Sequence, residues 1–244
     1  LACRAAGVRR FVHTSSPSVV FDGTDMEGVD ESVPYPRHHE AHYPRTKAAA
    51  ERMVLAANGR GLATVALRPH LHWGPGDNHL VPRLLERGPR LRRIGEGKRI
   101  DSVYIDNAAE AHLLAADRLE VGSPIAGRAY FISNGEPLPT WELVDRILAA
   151  GGRPPVTRSV SPGLAYLAGW VMEGLWGVFR PWEEPPLTRF VARELATSHW
   201  FDIGAARRDL GYEPRVSIDE GMRRLAAWLQ RGRMAGDALS EGKP

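Results

Sequence analysis

Residues 46–69 read Thr46-Lys47-Ala48-Ala49-Ala50-Glu51-Arg52-Met53-Val54-Leu55-Ala56-Ala57-Asn58-Gly59-Arg60-Gly61-Leu62-Ala63-Thr64-Val65-Ala66-Leu67-Arg68-Pro69. As far as Asn58 the stretch is built from Ala, Glu, Lys and Leu, strong helix formers. Pro44, just ahead, fits a first helical turn, where its missing N–H costs nothing. Asn58-Gly59-Arg60-Gly61 ends the helix, and residues 62–67 form a nearly continuous apolar run. Such a run is the pattern of a strand buried on both faces, and Arg68-Pro69 closes it. A helix feeding a fully buried strand is the repeating unit of a parallel α/β sheet.

The same alternation extends outward. Upstream, Arg10-Phe11-Val12-His13-Thr14-Ser15-Ser16 alternates and stops at Pro17, as a strand entering a loop does. Residues 22–42 are polar, with Pro and Gly, and read as a loop. Downstream, Gly74-Pro75-Gly76-Asp77 is a turn cluster. A helix over 80–87, a short strand at 102–105, a helix over 107–119 and a strand at 128–133 follow. The spacing then predicts a helix over 140–150 capped by Thr140. The last third is mainly helical, without repeats or low-complexity tracts. Residues 1–135 are expected to form the sheet domain, with insertions at about 75–100, and residues 136–244 a helical substrate lobe.

Composition narrows the class. The 244 residues are 43% hydrophobic and 25% charged, the balance of a globular chain, with a net charge of +3. That excess is too small to argue for nucleic acid. Cys3 is the single cysteine, so neither an internal disulfide nor a cysteine-rich zinc site is available, and a reducing, cytoplasmic setting is expected. Residues 1–7 read as the last turns of a helix closed by Gly7, with no signal-peptide pattern. A chain opening this way is expected to be a fragment.

The chemistry centres on Tyr43-Pro44-Arg45-Thr46-Lys47, 27 residues after Ser16. Residues i and i+4 share a helix face, so Lys47 can lie under Tyr43. A free phenol ionises near pH ~10, and a neighbouring ammonium favours the phenolate, as does a helix N-terminus. Ser16, at the C-terminal end of a strand, suits a hydrogen bond to a substrate oxygen. Together the three make a proton-transfer site for a carbonyl/alcohol pair. Tyr-x-x-x-Lys alone is a weak pattern, because common residues four apart recur by chance. The Thr14-Ser15-Ser16 strand end strengthens it.

Several stretches now coincide. Gly7 to Ser16, Tyr43 to Lys47, Leu67-Arg68-Pro69 and Trp73-Gly74-Pro75-Gly76-Asp77 resemble the extended short-chain dehydrogenases/reductases, within them the 3β-hydroxysteroid dehydrogenase branch. Val103 to His112, Pro186 to Phe190 and Ala206 to Tyr212 are similar to that branch too. The narrower similarity is to the 2-alkyl-3-oxoalkanoate reductases of bacterial long-chain olefin synthesis. The resemblance implies a Rossmann-type α/β fold and an NAD(P)-dependent oxidoreductase. In that reading Tyr43 is the acid/base, Lys47 supports it and holds the nicotinamide ribose, Ser16 orients the carbonyl, and Pro69 lies beside the nicotinamide. The family's Gly-x-x-Gly-x-x-Gly phosphate loop does not occur in this sequence. The N-terminal half of the nucleotide-binding sheet is therefore expected to be missing, and NAD and NADP cannot be told apart.

Other stretches compete for attention. His38-His39-Glu40-Ala41-His42 lacks zincin spacing and reads as solvated, so no metal is expected. His70 and His72 alternate after a strand, so His70 either faces the nicotinamide pocket or is ordinary polar lining. Arg83 to Arg99 holds six arginines and one lysine, read first as a solvated helix face, with an anionic head group as second reading. Residues 163–179, with Tyr166, Trp170, Trp176 and Phe179, are too short and charged for a membrane span. They read equally as a buried helix or as a greasy lid touching a membrane surface, and Trp182 with Pro185-Pro186 suggests a mobile lobe. The expected substrate is a large hydrophobic molecule with a 3-hydroxy or 3-oxo group. A nucleotide-sugar epimerase or dehydratase and a non-catalytic scaffold are the alternatives, and peripheral membrane contact and a homodimer stand as open expectations.

Overall fold

The computed structural model describes residues 2–180, 182–183 and 185–241. A one-turn helix α1 (Ala2–Ala5) is followed by Gly7 at φ 68° and strand β1 (Arg10–Thr14); Leu1 lies outside the described residues. A 3₁₀ turn at Pro17–Val19 leads to β2 (Met26–Val29), then α2 (His42–Ala56), β3 (Ala63–Pro69) and β4 (His72–Trp73). Helix α3 (Leu80–Arg87) precedes three two-residue strands, β5 (Arg93–Ile94), β6 (Arg99–Ile100) and β7 (Val103–Tyr104). Then come α4 (Ile105–Arg118), β8 (Ala129–Ile132), β9 (Leu138–Pro139), α5 (Thr140–Ala150) and β10 (Ser159–Val160). The last part holds α6 (Pro162–Phe179), α7 (Arg189–Leu195), β11 (His199–Phe201), a π turn at Ala206–Leu210 and α8 (Ile218–Glu241).

Strands β1, β3 and β8 form a parallel sheet with β3 in the middle. Every β3 residue is buried, because the strand has a neighbour on both sides and a helix over each face. Val65 and Leu67 join the α4 residues Ala108, Ala111 and Ala115 in one core cluster, whereas Arg68 turns to Glu51 of α2. Each fully buried Val or Leu is worth roughly 1.5–3 kcal/mol of transfer free energy. Parallel pairing, Thr14 opposite Leu67 and Pro69 opposite Ile132, brings the C-terminal ends of all three strands to one edge. This is a Rossmann-like α/β fold, and ligands of such sheets bind outside that edge.

A second sheet has the order β2, β11, β6, β9. Its β2 strand lies inside the stretch read as loop: Met26-Glu27-Gly28-Val29 carries little local strand signal, and pairing with β11, some 170 residues later, makes it a strand. Thr140 is the first residue of α5 rather than its cap, since its hydroxyl donates to the carbonyl of Lys98 at 3.2 Å. Ile105 starts α4 rather than ending a strand. Asn107 bolts α4 to the segment before α8: its amide donates to Val216 O and Asn134 Oδ1 and accepts from the backbone N–H groups of Arg215 and Val216.

Two other expectations are corrected. The arginine run is not one solvated helix face: α3 covers only residues 80–87, Arg93 pairs with Asp145, Lys98 with Asp25, and Arg99 donates to Pro137 O. Helix α6 is not buried either. Only Ala165 and Gly169 are fully covered, whereas Leu167, Trp170, Leu175, Val178 and Phe179 are exposed. It is held to α7 by close approach at Gly169, where a Cβ would lie 2.8 Å from Arg189 N, and by Glu173, which accepts from Arg189 N and Nε. No described helix is long and apolar enough to cross a membrane. The expected break at Pro185-Pro186 borders residues 181 and 184, which are outside the described residues.

Arg68 is the costliest group in the sheet. Its guanidinium, 3% exposed, donates to Glu51 at 2.7 and 3.1 Å, and Glu51 also accepts from the Tyr35 hydroxyl at 2.5 Å. Burial alone would raise the Glu51 carboxyl, but the Arg68 bonds hold it below the usual range. Burial and the bond to Glu51 push Tyr35 up to about 12, so it stays a donor. Glu51→Gln leaves Arg68 buried without a counter-charge, and urea unfolding should register a loss of about 3–5 kcal/mol.

Candidate active site

The edge formed by the ends of β1 and β3 gathers the residues singled out in the sequence. The Lys47 ammonium donates to the carbonyl of Thr14, the last β1 residue, at 2.9 Å. That bond fixes α2 against the strand end two residues before Ser16. Ser15 N donates to Leu67 O at 2.6 Å, carrying the β1–β3 register past the end of β1 toward Ser16, alongside Pro69. Tyr43 lies one helical turn before Lys47, in the first turn of α2, with its side chain 54% exposed. Its solvent-facing ring leaves the phenol open to a ligand.

Ser16 is half-buried in extended backbone and caps the following 3₁₀ turn: its Oγ accepts from Ser18 N at 3.3 Å and from the Ser18 hydroxyl at 3.0 Å. With both acceptor positions taken, its own O–H is left to donate outward. Thr14 Oγ1 meets His112 Nε2 of α4 at 2.8 Å, so the strand end is tied from the α4 side as well. His13 points to the α2 side. Burial first, and the Lys47 ammonium second, hold its imidazole below the ordinary value, so Lys47 carries the local positive charge.

Whether a nicotinamide dinucleotide fits can be judged from the donors present. Lys47 spends one of its three N–H groups on Thr14, leaving two for a ribose diol, and Tyr43 presents a free hydroxyl nearby in sequence. These residues suit the nicotinamide-ribose end. No Gly-x-x-Gly-x-x-Gly is present for the pyrophosphate.

His70 is placed differently from either expectation. It is 8% exposed and belongs to a buried network: Nδ1 lies 2.5 Å from Asp101 Oδ1, and Nε2 lies 3.2 Å from His199 Nδ1. Asp101 also accepts from Phe201 N at 3.0 Å, and His199 Nε2 donates to Glu194 O at 2.9 Å. Asp101 and His199 are 98 residues apart, and neither stands in a pattern that marks it in the sequence. In the histidine-rich stretch, Glu40 pairs with Arg193 and His42 Nδ1 accepts from Arg45. Among the described residues no group of three or more His, Cys, Asp and Glu converges as metal ligands.

The fold is of the Rossmann type, and comparison with known proteins gives the class of protein it belongs to. Residues 1–159 match the 3-beta hydroxysteroid dehydrogenase/isomerase family. The chain belongs to that family, whose members are NAD(P)-dependent oxidoreductases of the extended short-chain dehydrogenase/reductase type. It is similar to the 2-alkyl-3-oxoalkanoate reductases of Stenotrophomonas maltophilia (55% identity, covering 93% of this chain and 70% of that protein) and Shewanella oneidensis (49%, 93% and 62%). A sterol-4-alpha-carboxylate 3-dehydrogenase of Schizosaccharomyces pombe is 39% identical over 93% of this chain and 68% of its own. The chain thus spans between about three fifths and seven tenths of the length of these relatives. Its fold is shared with UDP-glucuronic acid 4-epimerase from Bacillus cereus, solved with NAD, at TM-score 0.66 and 18% identity over 94% of this chain and 64% of that one.

The buried histidines give the protein a pH signature. Burial, reinforced by His70, pushes the His199 imidazole down from 6.5 to about 4. Between those values the unfolded chain binds a proton that the folded one refuses, so stability falls as pH drops from 6.5 to 4. The contribution is about 3 kcal/mol at ~1.4 kcal/mol per unit. The Glu194 carboxyl, pushed up to about 7 by burial, has the opposite slope and cancels in a comparison of variants. Urea titrations at pH 7.5 and 4 should therefore show wild type losing about 3 kcal/mol more than His199→Gln.

Proposed function

We propose that the protein interconverts a 3-oxo and a 3-hydroxy group on a large hydrophobic carboxylic acid, with Tyr43 as acid/base. The observation that carries the reading is the Lys47–Thr14 bond, which ties the Tyr43-bearing helix turn to the strand end that leads into Ser16. In the direction of reduction, the Ser16 hydroxyl donates to the carbonyl oxygen and polarises it. Tyr43 delivers the proton that the oxygen takes up, and the Lys47 ammonium balances the phenolate left behind. Pro69, Lys47 and Tyr43 are the residues that would hold the nicotinamide end of a dinucleotide, which in its reduced form would supply the hydride. In oxidation the same groups run backwards: Tyr43 accepts the hydroxyl proton.

The substrate class follows from two supports. The reductases and the sterol dehydrogenase that this chain resembles are named for alkylated 3-oxo acids and for a sterol carboxylate, both greasy molecules carrying an acid near the reacting carbon. Helix α6 offers Leu167, Trp170, Leu175, Val178 and Phe179 on an exposed apolar face, which favours such substrates over a nucleotide sugar and suits delivery from a lipid surface.

With a 2-alkyl-3-hydroxyalkanoate and NAD⁺ or NADP⁺, nicotinamide absorbance should rise on wild-type turnover, measured in a longer chain that supplies the phosphate loop. Tyr43→Phe should lower kcat by at least ~10²-fold with little change in cofactor binding. Full turnover by that variant removes Tyr43 from the chemistry.

A further inference from the structure

The turn after β3 is strained in a way that its neighbours explain. Leu71 has φ 39°, in the left-handed region, which a bulky L-residue enters only under strain. Such a conformation persists only where the surroundings over-determine it, and it clusters at functional sites. The residue before Leu71 is His70, and the one before that is Pro69.

The hydrogen bonds fix the protons of the network. A backbone carbonyl only accepts, so His199 Nε2, 2.9 Å from Glu194 O, carries a hydrogen. His199 is buried and neutral, so its Nδ1 is a bare acceptor, and the group facing it at 3.2 Å, His70 Nε2, must be the donor. On the other side, Asp101 accepts the Phe201 N–H through Oδ2 and faces His70 Nδ1 through Oδ1 at 2.5 Å. With Asp101 as the carboxylate, the proton between them sits on His70 Nδ1, so His70 donates from both nitrogens as an imidazolium. The rings of Phe201 and His199 close edge-on around it, with centroids at 5.2 and 5.0 Å, and Phe21 packs on His199 at 6.0 Å. The pair is shielded from water, so its geometry is stiff.

We propose that His70 is a positioning residue, a buried imidazolium clamped between Asp101 and His199 that holds the strained Pro69-His70-Leu71 turn at the cofactor side of the site. This rests on the reading of the β1/β3 edge as the nicotinamide side. No proton leaves the network in turnover, because its far end stops at the Glu194 carbonyl. Its effect is geometric: it sets where Pro69 stands against the dinucleotide.

Two measurements decide it. In protein labelled with ¹⁵N-histidine, two-bond ¹H–¹⁵N correlations at pH 7.5 should show His70 protonated on both nitrogens and His199 as the Nε2–H tautomer. Asp101→Asn should abolish the doubly protonated signal. A neutral His70 ring at pH 7.5 overturns the proposal. In turnover assays, Asp101→Asn should raise KM for the oxidised dinucleotide on the order of tenfold while kcat changes less than about threefold. Leu71→Gly, which adopts a positive φ without strain, should recover most of that loss in the Asp101→Asn background. An unchanged KM in a folded Asp101→Asn protein, or no recovery by Leu71→Gly, also overturns it. If instead the unsubstituted protein shows no nicotinamide-linked turnover, the oxidoreductase reading fails separately, and the charge state of His70 is still decided by the nitrogen spectra.

Discussion

Strand β3 ends in two buried cations, and much of the molecule is arranged to answer them. Arg68 and His70 flank Pro69, both nearly sealed from water, where a lone charge costs several kcal/mol. Arg68 finds its counter-charge in Glu51 of α2, with Tyr35 from the preceding loop completing the set. His70 finds Asp101, just after β6, and His199 of β11. Satisfying these two groups fixes α2, the loop before it and the second sheet relative to one strand end. Apolar burial supplies the bulk of the folding free energy, but it is indifferent to small displacements. The paired charges are not, and they set the register.

That arrangement separates what must be rigid from what must stay open. Thr14, Lys47 and Pro69 belong to elements locked by backbone pairing and by the buried pairs, whereas the Tyr43 ring projects into solvent from the first turn of α2. In the proposed role, Tyr43 on a fixed helix beside a fixed strand end needs little reorganisation when a substrate arrives, which is the physical content of preorganisation. The same logic explains why Ser16 caps the turn after β1: the cap consumes its acceptor capacity and aims its proton.

Helix α6 follows a different rule. It is joined to the body mainly through α7, at Gly169 and the Glu173–Arg189 pair, and leaves most of its apolar side chains uncovered. An apolar surface of this kind on an ordinary globular chain marks a contact with something else apolar, in keeping with a family whose relatives handle sterols and alkylated acids.

The sequence alone was enough for strands β1, β3 and β8 and for helices α2 to α5, and it singled out Ser16, Tyr43, Lys47 and Pro69, because each rests on local signals: an apolar run bounded by Gly and Pro, an i,i+4 pair, a strand running into a loop. It misplaced what depends on partners far along the chain. Residues 26–29 become a strand only when β11 pairs with them. Thr140 turns from cap to donor because Lys98 lies in reach. The apolar helix over 163–179 was legible as a helix, but its exposure was not, since periodicity reports that a face is greasy and not whether anything covers it. The proposed protonated state of His70 is likewise invisible locally: it is decided by Asp101, His199 and a carbonyl at Glu194, brought to it only by the tertiary fold, where low dielectric leaves a buried ring no choice but to match its neighbours' lone pairs.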